Sequence, residues 1–149
     1  MRAKNLYSLP IPIQYLERID KLSSPYHVGR LRNAIDLIAP KGTPVLAAAD
    51  GVVTFVKDDS HTGGPSIENW NDSNFVVIAH ASEEFSRYDH LQHMSAEVRQ
   101  NQQVSRGQLI AKVGMTGITF LPHLHFQVFI FTGPNIWTDF DTLALPDFV

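Results

Sequence analysis

Leu121-Pro122-His123-Leu124-His125-Phe126-Gln127-Val128-Phe129, near the C-terminus, is the stretch whose reading decides the fold. After the break imposed by Pro122, its aromatic and β-branched residues predict a strand, and a strand's period of two puts His123 and His125 on one face. Leu124 and Phe126 then point the other way, into a core. Two imidazoles side by side over apolar backing can share one metal, or divide the work so that one binds it and the other moves protons. H-x-H alone also fits two ordinary solvent-facing strand residues, so the rest of the chain has to decide.

The composition narrows the chemistry. The chain has 149 residues, enough for one domain with a substantial core. It has no cysteine, which excludes disulfides, thiolate zinc sites and cysteine nucleophiles, and leaves any transition metal to histidine and carboxylate. A net charge of −3 provides no basic field to gather phosphate, so neither nucleic acid nor an anionic membrane is an expected partner. Seven histidines are the main chemical resource. No apolar run is long enough to insert in a membrane, and no charged segment followed by an apolar signal core opens the chain. As written the sequence reads as cytoplasmic, unless a leader has been removed or another export route is used.

Working outward, the segments read as short strands separated by turns. Residues 1–25 hold Pro10 and Pro12, which forbid a helix and allow an extended arm or edge strand, with a helical turn possible over 14–22. Val45 to Ala49 and Val52 to Val56 flank Asp50-Gly51, a hairpin signal. Asp58 to Ser73 forms one long loop containing His61 and Trp70, and loops of that length are usually functional or mobile. Asn74 to His80, Phe85 to Leu91 and Val104 to Val113 read as further strands; alternation in the second would place Tyr88 and His90 on one face. Residues 132–149 read as an irregular tail packed on the domain. With no sustained helical periodicity, the pattern predicts an all-β, antiparallel sandwich or barrel-like single domain whose main body covers residues 26–131.

Taken together, Ile35-Asp36, the series from Pro40-x-Gly42-Thr43-Pro44 to Asp50-Gly51-Val52-Val53, Tyr88-x-His90-Leu91, Val104-x-x-Gly107-Gln108, Gly114-x-Thr116-Gly117 and His123-Leu124-His125-Phe126 form one ordered set. That set resembles the LytM/lysostaphin-like zinc metalloendopeptidases, which cut peptides of bacterial peptidoglycan. The resemblance implies a β core of the duplicated hybrid motif type with a groove above it, a Zn²⁺ cofactor and a peptidoglycan peptide as substrate. It also implies an envelope or extracellular location. By the same resemblance Asp36 and His125 fall on metal-ligand positions, while His90 and His123 fall on those of two catalytic, non-ligand histidines. Zinc accepts imidazole nitrogen and carboxylate oxygen, and a catalytic site keeps one position open. Tyr88, two residues before His90, is a candidate substrate contact or a buried strand aromatic.

One position departs from the family pattern. The family's first motif is H-x-x-x-D, and here Arg32 stands four residues before Asp36. A guanidinium stays protonated and has no lone pair to give a metal. Two readings follow. In one, His27, nine residues ahead of Asp36, supplies the missing nitrogen by way of a loop through Gly29; variant family members are similar in placing a histidine before a short insertion and an Ala-x-Asp, here Ala34-Ile35-Asp36. In the other, the site has two ligands and the chain is a degenerate relative that binds cell wall or a partner protein without cutting; a salt bridge from Arg32 into the vacant place would mark it. His61 is a further candidate ligand. His80, His93, Asp58, Asp59, Asn33, Asn74 and Thr116 are assigned structural or solvated roles. A biotinyl- or lipoyl-carrier reading ranks lowest, since Asp50-Gly51 presents no lysine for modification.

Overall fold

The computed structural model describes residues 1–149. Twelve strands carry the fold: β1 (Arg18–Asp20), β2 (Ile35–Ile38), β3 (Pro44–Leu46), β4 (Gly51–Lys57), β5 (Gly63–Gly64), β6 (Phe75–Ala79), β7 (Phe85–Asp89), β8 (Gln103–Val104), β9 (Leu109–Lys112), β10 (Gly117–Ile118), β11 (His123–Phe131) and β12 (Phe140–Thr142). The helical segments are all short 3₁₀ turns. The main sheet runs β1-β2-β11-β7-β6-β4-β8, antiparallel throughout, with β12 also on β11. A second antiparallel pair, β3 with β9, and a short parallel pair, β5 with β10, complete the architecture. The expected mostly antiparallel β domain is what the chain forms.

The quoted stretch is the hub of the sheet. Pro122 precedes the first residue of β11, and from there Leu124, Phe126 and Val128 are fully buried on one face while His123, His125 and Gln127 line a cleft on the other. Period-two alternation repeats on each neighbour. Leu37 of β2, Val76 and Ile78 of β6 and Tyr88 of β7 join the same core, to which the arm adds Tyr7 and Ile11 and the small sheet Val45, Ile110 and Ala111. Asp36, Phe75, Arg87 and Asp89 take the cleft side. Because β2 pairs with residues 123–126 of β11 and β12 with 129–131, these two short strands lie end to end along one edge of β11, opposite β7.

Several local expectations are corrected. Asp50-Gly51 does not close a hairpin, because β3 pairs with β9 and β4 with β6 and β8. The long loop holds β5 and a 3₁₀ segment (Ile67–Asp72), and the tail supplies β12. The helical turn is confined to Ile13–Tyr15, before β1. Tyr88 and His90 do not share a face, since β7 ends at Asp89 and His90 takes a φ of +64° that swings it to the cleft side. Tyr88 is therefore not placed to touch substrate. Its ring lies wholly in the core, where its hydroxyl accepts from the Ala48 N–H at 2.9 Å and from Ser86 Oγ at 2.9 Å. Tyr88→Phe strands a buried amide, so it should cost about 1–3 kcal/mol in a denaturant titration and leave peptide KM unchanged.

Candidate metal centre

Four elements deliver the site. Asp36 and His125 are direct cross-strand partners on β2 and β11, so their side chains meet on the cleft face. His27 comes from the loop before a 3₁₀ turn (Gly29–Leu31), and His90 from the end of β7. Asp36 Oδ1 lies 3.3 Å from His27 Nε2 and 3.2 Å from His125 Nδ1, and those two nitrogens lie 3.3 Å apart. His123 Nε2 stands farther off, 3.7 Å from the same oxygen. Asp36 Oδ1 is buried and accepts no directed hydrogen bond.

Three ligand-type atoms at such spacing can close on one cation. Tetrahedral zinc with nitrogen and oxygen donors at about 2.0–2.2 Å has donor–donor edges of about 3.3–3.6 Å, and this triangle matches the short end of that range. The tautomer of His125 agrees. Its Nε2 faces Gln127 Oε1 at 2.9 Å, so the proton sits on Nε2 and the Nδ1 lone pair points into the triangle. Burial pushes the Asp36 carboxyl up, but the imidazoles of His125 and His27 outweigh it and hold Asp36 well below the usual carboxylate range. Burial likewise pushes His125 down, while the Asp36 and Asp89 carboxylates raise it overall. His27, Asp36 and His125 could thus hold one divalent ion among the cleft's side chains.

His90 and His123 stand beside this triangle and outside it, their rings 4.7 Å apart. Each spends Nδ1 on a carbonyl: His90 donates to Thr116 O at 2.7 Å, His123 to Leu121 O at 2.9 Å. A carbonyl only accepts, so both rings carry the proton on Nδ1 and keep a lone pair on Nε2. Burial, with the neighbouring His123 adding to it, pushes His90 down to about 3, and burial lowers His123 as well. Both are neutral bases at neutral pH.

Other groups find plainer places. Arg32 does not enter the cleft; it forms a fork with Asp141, Nη1–Oδ1 2.7 Å and Nη2–Oδ2 2.9 Å. His61 is exposed and faces His93, away from the triangle. His80 lies on the core side of the sheet, with its two nitrogens at Asp50 O and Ser86 Oγ. Asp58 Oδ2 accepts from Ala96 N, Asp59 pairs with Lys57, and Asn74 ties Ser60 to Leu91. Thr116 caps Asn74 N through its hydroxyl and serves the cleft through its carbonyl. Sequence reading passed over Gln127, although H-x-H-x-Q simply continues the period of two. It also passed over Asp89, whose carboxyl burial would raise; Arg87, in a double contact at 2.6 and 2.9 Å, holds it down at about 2.

The sequence profile described as Peptidase family M23 matches residues 30–135. The chain belongs to this family. It is 37% identical over 98 residues to the peptidoglycan DD-endopeptidase ShyA of Vibrio cholerae, covering 66% of this chain and 20% of that protein. It is 38% identical over 115 residues to the DD-carboxypeptidase/endopeptidase Mpg of Neisseria meningitidis, covering 72% and 24%. The chain therefore spans about a fifth to a quarter of these curated relatives' length. Among solved structures, a zinc-containing peptidase from Vibrio cholerae matches with a TM-score of 0.60 at 32% identity, over 83% of this chain and 36% of that one. The catalytic domain of lysostaphin from Staphylococcus simulans shares the fold, with a TM-score of 0.61 at 23% identity, over 87% and 89% of the two chains.

Burial of neutral His90 has a consequence for stability. Its folded value of about 3 lies below the ordinary 6.5, so between those values the unfolded chain binds the extra proton. The contribution is complete above pH 6.5 and is lost as pH falls toward 3. Metal-free His90→Gln protein should therefore show a shallower acid-side loss of stability than wild type, measured by urea titrations across that range.

Proposed function

We propose that the chain is a zinc-dependent endopeptidase domain acting on peptidoglycan stem or cross-bridge peptides, with His27, Asp36 and His125 as ligands. The observation that carries this reading is the triangle of converging acceptors with edges of 3.2–3.3 Å, completed by a histidine that the H-x-x-x-D pattern does not include. Membership in the family and the peptidoglycan endopeptidase activity by which its relatives are named support the substrate class. Such a substrate places the action at the cell envelope.

Bound there, zinc supplies Lewis acidity that polarises the scissile carbonyl and makes water a nucleophile near neutral pH. The protein's own groups handle the protons. His90 and His123 each offer a free Nε2 beside the cluster, so one takes the proton from the attacking water and, once protonated, donates that N–H to the charge developing on the carbonyl oxygen. Burial disfavours their protonated forms, and the acquired proton passes readily to the leaving amine. Arg32 is committed to Asp141, so its guanidinium does not enter the triangle in place of the metal. That removes the feature by which a non-catalytic binding module would have been recognised.

Metal content and turnover separate ligands from proton carriers. Purified wild type should hold one zinc per chain and cleave cross-linked stem-peptide dimers; His27→Ala, Asp36→Ala and His125→Ala should lose both. His90→Ala and His123→Ala should keep the zinc and lose about 10²–10⁴-fold in kcat. Retention of stoichiometric zinc by His27→Ala, or its loss from His123→Ala, would overturn the assignment.

A further inference from the structure

His27 is the member of the triangle carried by a loop, whereas Asp36 and His125 lie on paired strands. A ligating imidazole is ordinarily steadied by a hydrogen bond from its second nitrogen, which sets tautomer and ring plane. His125 has that support from Gln127. His27 does not: its Nδ1 is buried and without a partner. Its orientation must come from whatever holds the loop.

Before His27 the loop is held by its own N–H on Ser24 O and by Tyr26 against Trp70; after it, the hold comes from the far end of the chain. Past His27 the backbone turns at Gly29, whose φ of +57° suits a residue without Cβ. The next residues are then tied to 138–142. Arg30 Nη1 donates to Thr138 O at 3.0 Å and its guanidinium stacks on Phe140, 5.1 Å from the ring centre. Arg32 forks onto Asp141. Asn33 gives its backbone N–H to Thr142 Oγ1 at 3.1 Å and its amide to Thr142 O at 2.8 Å, while the Thr142 hydroxyl donates to Arg30 O at 2.7 Å. Thr142 is fully buried, and β12 is itself fixed on β11, the strand that carries His125.

We infer that residues 138–142 are a positioning clamp for His27, so that the metal affinity of the site is set in part by Arg32, Asp141 and Thr142, none of which is a ligand. The inference rests on His27 being the third ligand. Arg32, standing where the family pattern has its histidine, acts here as a tether. His27 precedes, and 138–142 follow, the residues 30–135 that match the family, so the replacement ligand and its support lie on opposite sides of the matched region. Both meet on one edge of β11.

Zinc affinity, read by competition with a chromophoric chelator on the full chain, tests this alongside melting of the zinc-free protein. Arg32→Ala and Asp141→Ala should each raise the zinc Kd about 10-fold, the double variant should be no worse than either single one, and the exchanged pair Arg32→Asp with Asp141→Arg should recover most of the loss. Thr142→Val, which keeps the shape but removes both hydroxyl bonds, should weaken zinc at least as much. The Arg32–Asp141 pair is solvent-exposed and adds little to stability, so the zinc-free Tm of its variants should stay at the wild-type value. An unchanged Kd in all these variants, or a loss of affinity that only tracks a falling Tm, overturns the clamp. If His27→Ala binds zinc as tightly as wild type, the ligand assignment itself falls and takes the clamp with it.

Discussion

A buried carboxylate oxygen with an imidazole nitrogen on each of two sides is the constraint on which the rest of this structure depends. Asp36 Oδ1, His27 Nε2 and His125 Nδ1 crowd to 3.2–3.3 Å of one another, and Gln127 has placed the His125 proton on the far side of its ring. With the His27 lone pair also turned inward, three converging lone pairs would repel unless a positive charge sat among them. The arrangement is one that a divalent ion could complete, as proposed above, and the cleft holds the three groups in place for it.

The means are simple. One sheet, apolar on its inner face, alternates side chains so that each core residue is followed by one that faces the cleft. Leu37 and Leu124 go inward; Asp36, His123 and His125 go outward, in register. His90 and His123, the proposed proton carriers, need a different placement, beside the triangle yet neutral. Backbone carbonyls at Leu121 and Thr116 take their Nδ1 protons and burial keeps them uncharged. A left-handed backbone at His90 brings its ring across from a strand whose preceding residue, Asp89, already faces the cleft.

Much of this was legible in the sequence, for reasons that can be named. Alternation in β11 gave the core face and the cleft face because burial on one side only enforces a period of two. The lack of a lone pair on Arg32 pointed the search for a ligand to His27, and the two do occupy different places, one on Asp141 and one in the triangle. What stayed hidden depended on pairing between distant segments. Asp50-Gly51 carries a local turn signal, but the choice of β9 and β6 as partners is a tertiary one. The strand in the tail and the tethers from Arg30, Arg32 and Asn33 to it span more than a hundred residues, beyond any local pattern. His90 escaped the alternation because a single positive φ ends it.

Diffraction from crystals of the zinc-loaded protein, recorded at the zinc absorption edge, tests the triangle most directly. One anomalous peak should lie in the cleft, about 2.0–2.2 Å from His27 Nε2, Asp36 Oδ1 and His125 Nδ1 together. A peak that leaves His27 outside bonding distance, or a cleft with no peak at saturating zinc, would contradict it.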